Sequence, residues 1–173
     1  ASIILNVTTS ETANVTYSLN GAANQTLYNL TTSGNTTITA IEAGNYVRVY
    51  ASDSAGNLNT SRVNFTIDTT PPNLTITTVP PSPSSNNESL VYIFEFSENV
   101  VGFDVGDITL NFSGAGQGTV NGSNFITTDA NTYTLTLAGQ DLISLGLLIS
   151  GKPIVVSVNM SGLTDIAGNP GEG

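Results

Sequence analysis

The chain has 173 residues, no cysteine and no histidine, and 13 acidic against 3 basic residues, for a net charge of −10. This excludes disulfides, thiol or zinc chemistry and any Ser-His-Asp triad, and it leaves no basic footprint for nucleic acid or anionic lipid. No apolar run approaches the roughly 20 residues of a membrane helix, and no signal peptide is visible, so a mature form beginning at Ala1 is expected.

In chain order the elements read as strands. Residues 1–9 (ASIILNVTT) place Ile3, Leu5 and Val7 on one face and Ile4 on the other. Val15, Tyr17 and Leu19 form the next strand, closed by the turn signal Asn20-Gly21. Residues 26–30 and 36–41 are shorter candidates. Residues 42–45 turn the chain into a strand over 46–52, with Tyr46 placed where a tyrosine corner would sit. After the loop 53–57, residues 62–67 alternate through Val63, Phe65 and Ile67. Pro71 and Pro72 then break the ladder, because proline has no N–H to give. Leu74 and Ile76 restart the alternation. This predicts two all-β domains, 1–70 and 71–173, joined by a short Pro-Pro hinge.

In the second domain residues 79–87 read as a loop. Tyr92, Phe94 and Phe96 share one face of the most hydrophobic strand. Ile108, Leu110 and Phe112 follow, then turns at 114–118 and 121–122. Phe125, Tyr133, Leu135 and Leu137 continue the core, and Ile154, Val156, Val158 and Met160 face inward in the last clear strand. Residues 142–150 fit either a short helix or an irregular crossover.

Asparagine is the strongest compositional signal. Chance gives about five Asn-x-Ser/Thr sequons in such a chain. There are twelve: Asn6, Asn14, Asn24, Asn29, Asn35, Asn59, Asn64, Asn73, Asn87, Asn111, Asn121 and Asn159. The alternation points several of them outward, as a bulky glycan requires, and N-linked glycosylation is expected. Oxygen-rich loops leave calcium as the one metal these residues suit. Asp68, Glu98 and Asp165 are expected to share one pole of a sandwich as its ligands, with Asp104 and Asp107 a weaker pair. The competing expectation is loop carboxylates making turns and caps. Glu95 points outward and no aromatic-lined cleft is evident, so no catalytic residue is assigned and no enzyme is expected. Lys152 is the single lysine and a candidate for an isopeptide bond, against the plainer expectation of a solvated edge charge.

Two stretches repeat a pattern. Residues 53–57 (DSAGN) and 165–169 (DIAGN) share D-x-A-G-N, and the first copy is followed by a strand and then DTTPP at 68–72. The second domain also carries FEFSE at 94–98 and VGFDVGDIT at 101–109. Together these resemble the bacterial and archaeal Ig-like repeats of large cell-surface proteins, including biofilm-type adhesin modules. The resemblance implies two tandem Ig-like β-sandwich domains in an extracellular, cell-surface protein. It departs in one place: the family has a closing strand after the second loop, whereas this sequence reads only PGEG after Asn169. The second domain is therefore expected to lack its last strand. The apolar segment with Ile3, Ile4, Leu5 and Val7 is a donor strand of suitable length for the next subunit. Identical subunits would then join head to tail into a homopolymer, as in pilus-like and archaeal thread-like filaments, serving adhesion or contact with other cells or surfaces. The alternatives are an Ig-like stalk segment of a long adhesin or surface-layer glycoprotein, whose first strand is residues 1–9, and a module that binds a carbohydrate or receptor.

Overall fold

The computed structural model describes residues 1–79, 89–112, 116–118, 124–138 and 154–172. The chain divides into two compact units, Ala1–Thr69 and Thr70–Gly173, and the described residues are strands, turns and loops with one short 3-10 turn and no α-helix. The expected segment 142–150, Lys152, and the sequons Asn87 and Asn121 lie outside the described residues.

The first unit is one four-stranded antiparallel sheet in the order β2-β1-β3-β4, made of β1 (Ser2–Leu19), β2 (Gln25–Thr39), β3 (Ala43–Ser52) and β4 (Leu58–Ile67). This corrects the expectation of two packed sheets built from short strands. The segments expected at 1–9 and 15–19 belong to a single long strand, and so do 26–30 and the segment expected at 36–41, which ends earlier, at Thr39. The strands stay continuous because the ladder absorbs extra residues as bulges, with register shifts between Thr8 and Ala13 and again between Ala13 and Thr16. Ile3 and Tyr17, separated by roughly 46 Å along a straight strand, pack in one apolar cluster with Ile38 and Val47. The sheet therefore bends back on itself at the bulges and encloses its own small core. Asn20 and Gly21 take φ of 52° and 79°, the left-handed pair that a tight hairpin turn demands. Tyr46 forms no corner between layers; its ring lies 4.0 Å from the Arg62 guanidinium on the surface. Val63, expected inward, is exposed, because β4 is an edge strand whose contribution to the apolar cluster is Phe65.

The second unit is a sandwich. One sheet runs β10-β11-β6-β5, from β5 (Leu74–Val79), β6 (Leu90–Phe96), β10 (Phe125–Thr127) and β11 (Thr132–Leu137). The facing sheet runs β12-β8-β9, from β8 (Ile108–Phe112), β9 (Gly116–Gly118) and β12 (Ile154–Val158). A short pair joins β7 (Val100–Val101) to β13 (Thr164–Asp165). Period-two alternation sends Tyr92, Phe94 and Phe96 inward from β6, Tyr133, Leu135 and Leu137 from β11, and Ile108 and Leu110 from β8. Phe103 is the hub, with ring centroids 5.6 Å from Phe94, 5.1 Å from Phe96, 5.7 Å from Phe125 and 4.9 Å from Tyr133. Each such aromatic pair contributes about 0.5–1.5 kcal/mol beyond area burial.

Candidate functional site

The two D-x-A-G-N stretches fold into the same loop. In the first, Asp53 Oδ1 accepts from the backbone N–H of Ala55 and Asn57, each at 2.9 Å, and Oδ2 accepts from the Asn57 amide at 2.7 Å. The backbone N–H of Asp53 donates to the Asn57 carbonyl at 3.1 Å. In the second, Asp165 Oδ1 accepts from Asn169 N–H at 2.8 Å, Oδ2 from the Asn169 amide at 2.7 Å, and Asp165 N–H donates to the Asn169 carbonyl at 3.0 Å. Gly56 and Gly168 carry φ of 90° and 93°, a conformation that side chains resist, which is why glycine stands fourth in both. Burial works against the Asp165 charge, but hydrogen bonds from Asn169, Gly168 and Ala167 outweigh it and hold the carboxyl below its ordinary range. The Asp53 carboxyl is also held low, chiefly by Asn57.

The two loops lead into different structures. After Asn57 the chain enters β4, which pairs with β3 from Ser52–Leu58 to Ala43–Ile67. After Asn169 the equivalent first pair forms, an antiparallel bridge between Thr164 and Pro170. Gly171 N–H then donates to the Leu163 carbonyl at 2.9 Å. A Cβ on Gly171 would stand 2.8 Å from Met160 Cε and 2.9 Å from Leu163 Cδ2, so the returning chain lies tight on the core. Among the described residues no strand continues this ladder, and β12 is the edge of its sheet. Its inward residues Ile154, Val156 and Val158 are only half-buried, while inward Leu110 on neighbouring β8 is 1% exposed. The result is an apolar strand edge beside the start of a ladder.

The expected donor residues lie in β1, where Ile3 pairs with Ile38, Ile4 with Thr37, Leu5 with Thr36 and Val7 with Gly34, all within the chain. Ile3, Leu5 and Val7 are half-buried and Ile4 is 71% exposed. This arm bonds to β2 alone, whereas residues 14–19 of the same strand pair with β3, and residues 15–17 among them with β2 and β3 together. Arm and strand meet at exposed Ser10, Glu11 and Thr12, above an open cleft of about 350 Å³ with Val7, Ala13, Val49 and Ala51 among its lining. Sequence reasoning misses both the bulge and the bridge at Pro170; four successive polar residues (TSET) over 9–12 offer the only hint of the first.

Of the expected cation ligands, Glu98 and Asp165 stand together in the second unit, their carboxylate oxygens within 4.8 Å. Asp68 is exposed at the end of the first unit, beside Glu42, which also accepts from the backbone and hydroxyl of Thr69 at 2.8 and 2.7 Å. Paired carboxylates offer oxygen donors of the kind that a hard divalent cation takes. Asp104 and Asp107 cap the 3-10 turn: Gly106 N–H donates to Asp104 Oδ1, and Asp104 N–H donates to Asp107 Oδ2. Nine sequon asparagines (6, 14, 24, 29, 35, 59, 64, 73 and 159) are exposed and Asn111 is half-buried.

A family model described as a bacterial Ig-like domain matches residues 68–173, the segment that carries the sandwich. The chain belongs to the bacterial Ig-like domain family. No curated protein matches it. Bacterial Ig-like domains typically occur in surface proteins and form a non-enzymatic fold family. No helix among the described residues is long and apolar enough to cross a membrane.

Proposed function

We propose that this Ig-like chain is the structural subunit of an extracellular filament on the cell surface, assembled head to tail by donor-strand exchange and serving adhesion or cell-cell contact. The observation that carries this is the edge of β12: half-buried Ile154, Val156 and Val158 stand beside a ladder that starts at Thr164–Pro170. A strand edge of this kind promotes association until it is covered. The arm of β1 supplies a strand of fitting length that is attached along one side only. The nine exposed sequons suit a glycoprotein coat on such a filament. Calcium belongs to the same proposal, with Glu98 and Asp165 of the second unit as carboxylate ligands. Melting the protein with calcium and with chelator tests it: a calcium-dependent rise that Glu98→Gln abolishes is expected, and identical melts exclude the ion.

The second reading, a stalk segment of a longer surface adhesin, is favoured by the pairing of residues 2–8 with β2 inside the chain. A reversible trap separates the two. Ile4 and Thr37 are directly opposed and both exposed, so Ile4→Cys with Thr37→Cys locks the arm in place on oxidation. The oxidised variant is expected to stay monomeric in size exclusion and negative-stain microscopy, and the reduced one to polymerise. Filaments from the oxidised form would sink the exchange proposal. Folded monomers from both the reduced variant and the native chain would leave the stalk.

A further inference from the structure

We infer that the incoming segment runs antiparallel to β12 with Leu5 of one copy opposite Val156 of the next, so that residues 3–7 oppose residues 158–154. This rests on the donor-strand proposal and fixes its direction and register. Direction comes from the loop: the chain leaving Asn57 runs antiparallel to β3, and the chain leaving Asn169 starts antiparallel at Thr164–Pro170. Facing comes from the pleat. Directly opposed residues in an antiparallel pair share a face, so half-buried Ile3, Leu5 and Val7 must meet half-buried Val158, Val156 and Ile154. Full overlap of the two five-residue segments then selects the register.

The β8–β12 register extends these pairs into rows. Ile108 pairs with Val158, Leu110 with Val156 and Phe112 with Ile154. The incoming segment therefore completes two inward rows, Ile108–Val158–Ile3 and Leu110–Val156–Leu5, and sets Val7 opposite Ile154. Within its own chain the arm has a poorer set of partners, since Leu5 faces Thr36 and Val7 faces Gly34. Exchange replaces those two with Val156 and Ile154, which is a physical reason for the arm to leave. The outward rows become Thr109–Ser157–Ile4 and Asn111–Val155–Asn6, which keeps the Asn6 sequon at the surface.

The chain has no cysteine, so engineered pairs report without background. Four double variants of the full chain are polymerised and oxidised, then run on a non-reducing gel. Ile4→Cys with Ser157→Cys, and Asn6→Cys with Val155→Cys, are expected to give ladders of covalent multimers. Ile4→Cys with Val155→Cys, and Asn6→Cys with Ser157→Cys, are expected to stay monomeric, because diagonal neighbours about 7–8 Å apart exceed disulfide reach. If the last two pairs cross-link and the first two do not, the strand is parallel and the inference is overturned. Filaments in which no pair cross-links overturn the register while leaving exchange intact. Native chain and all variants remaining monomeric would instead remove the donor-strand proposal itself.

Discussion

Asp165 accepts two hydrogen bonds from Asn169, at 2.8 Å from its backbone nitrogen and 2.7 Å from its side-chain amide. Asp53 accepts the same two from Asn57, at 2.9 and 2.7 Å. Both arrangements need an ionised carboxylate, which accepts without donating.

Acid is therefore expected to release both loops. Each folded carboxyl titrates below its ordinary value, so its stabilisation is complete above about pH 3.9. It fades as pH falls through the depressed folded value. Asp165→Asn and Asp53→Asn should each lower the melting temperature at pH 7. The gap to the native chain should close as pH drops below the ordinary carboxylate range. Melting curves from pH 7 to pH 2.5 check this, and a gap that stays constant would show that the charge is not what the loops use.

Asn45 is buried and uses its whole amide: it accepts from Asn20 Nδ2 and Ile41 N–H, and donates to the carbonyls of Ile41 and Ala43. Asn45→Ala strands these partners, and an unsatisfied buried group costs about 1–3 kcal/mol. Urea denaturation should show a loss of about 2–3 kcal/mol in the first unit. A change near zero would mean that water replaces the amide.

Leu135 is 0% exposed, and Leu135→Ala should cost about 2–5 kcal/mol in the second unit. Val156 is half-buried, and Val156→Ala should cost about 1 kcal/mol in the monomer. The expected contrast is in assembly: Val156→Ala slows polymer growth while the monomer stays folded. Denaturation and light scattering on the same samples read both effects.

Glycan occupancy should follow exposure. Peptide mapping of chain made in a glycosylating host is expected to find Asn6, Asn24, Asn29 and Asn35 modified. Asn111 should be the least occupied of the described sites, because it is half-buried and β8 is flanked by β12 and β9. Heavy occupancy at Asn111 would show that modification precedes sheet formation.

The core of the second unit was legible because its alternation is strong: Phe94, Phe96, Leu110 and Leu135 all stand where period two puts them. The D-x-A-G-N loops were legible as a repeat, although their identical bonding was not. The first unit was harder to read. Residues 9–13 look like a gap between strands, because a bulge and a loop share the same polar composition. Val63 alternates properly with Phe65 but stays exposed, since alternation says which residues share a face and not whether anything covers it. The proximity of Glu98 to Asp165 followed from loops clustering at one end of a sandwich, whereas Asp104 and Asp107 went to a turn cap.

The division of β1 into an arm and a doubly flanked half also bears on force. Tension applied through the arm would run along the strand into residues 15–17, which hold β2 on one side and β3 on the other. Antiparallel hydrogen bonds lie perpendicular to that pull. They would be loaded together in shear and would have to fail as a group, instead of opening one rung at a time like a zip. A subunit pulled by its arm would thus meet its greatest mechanical resistance at the strand that its own fold has flanked on both sides.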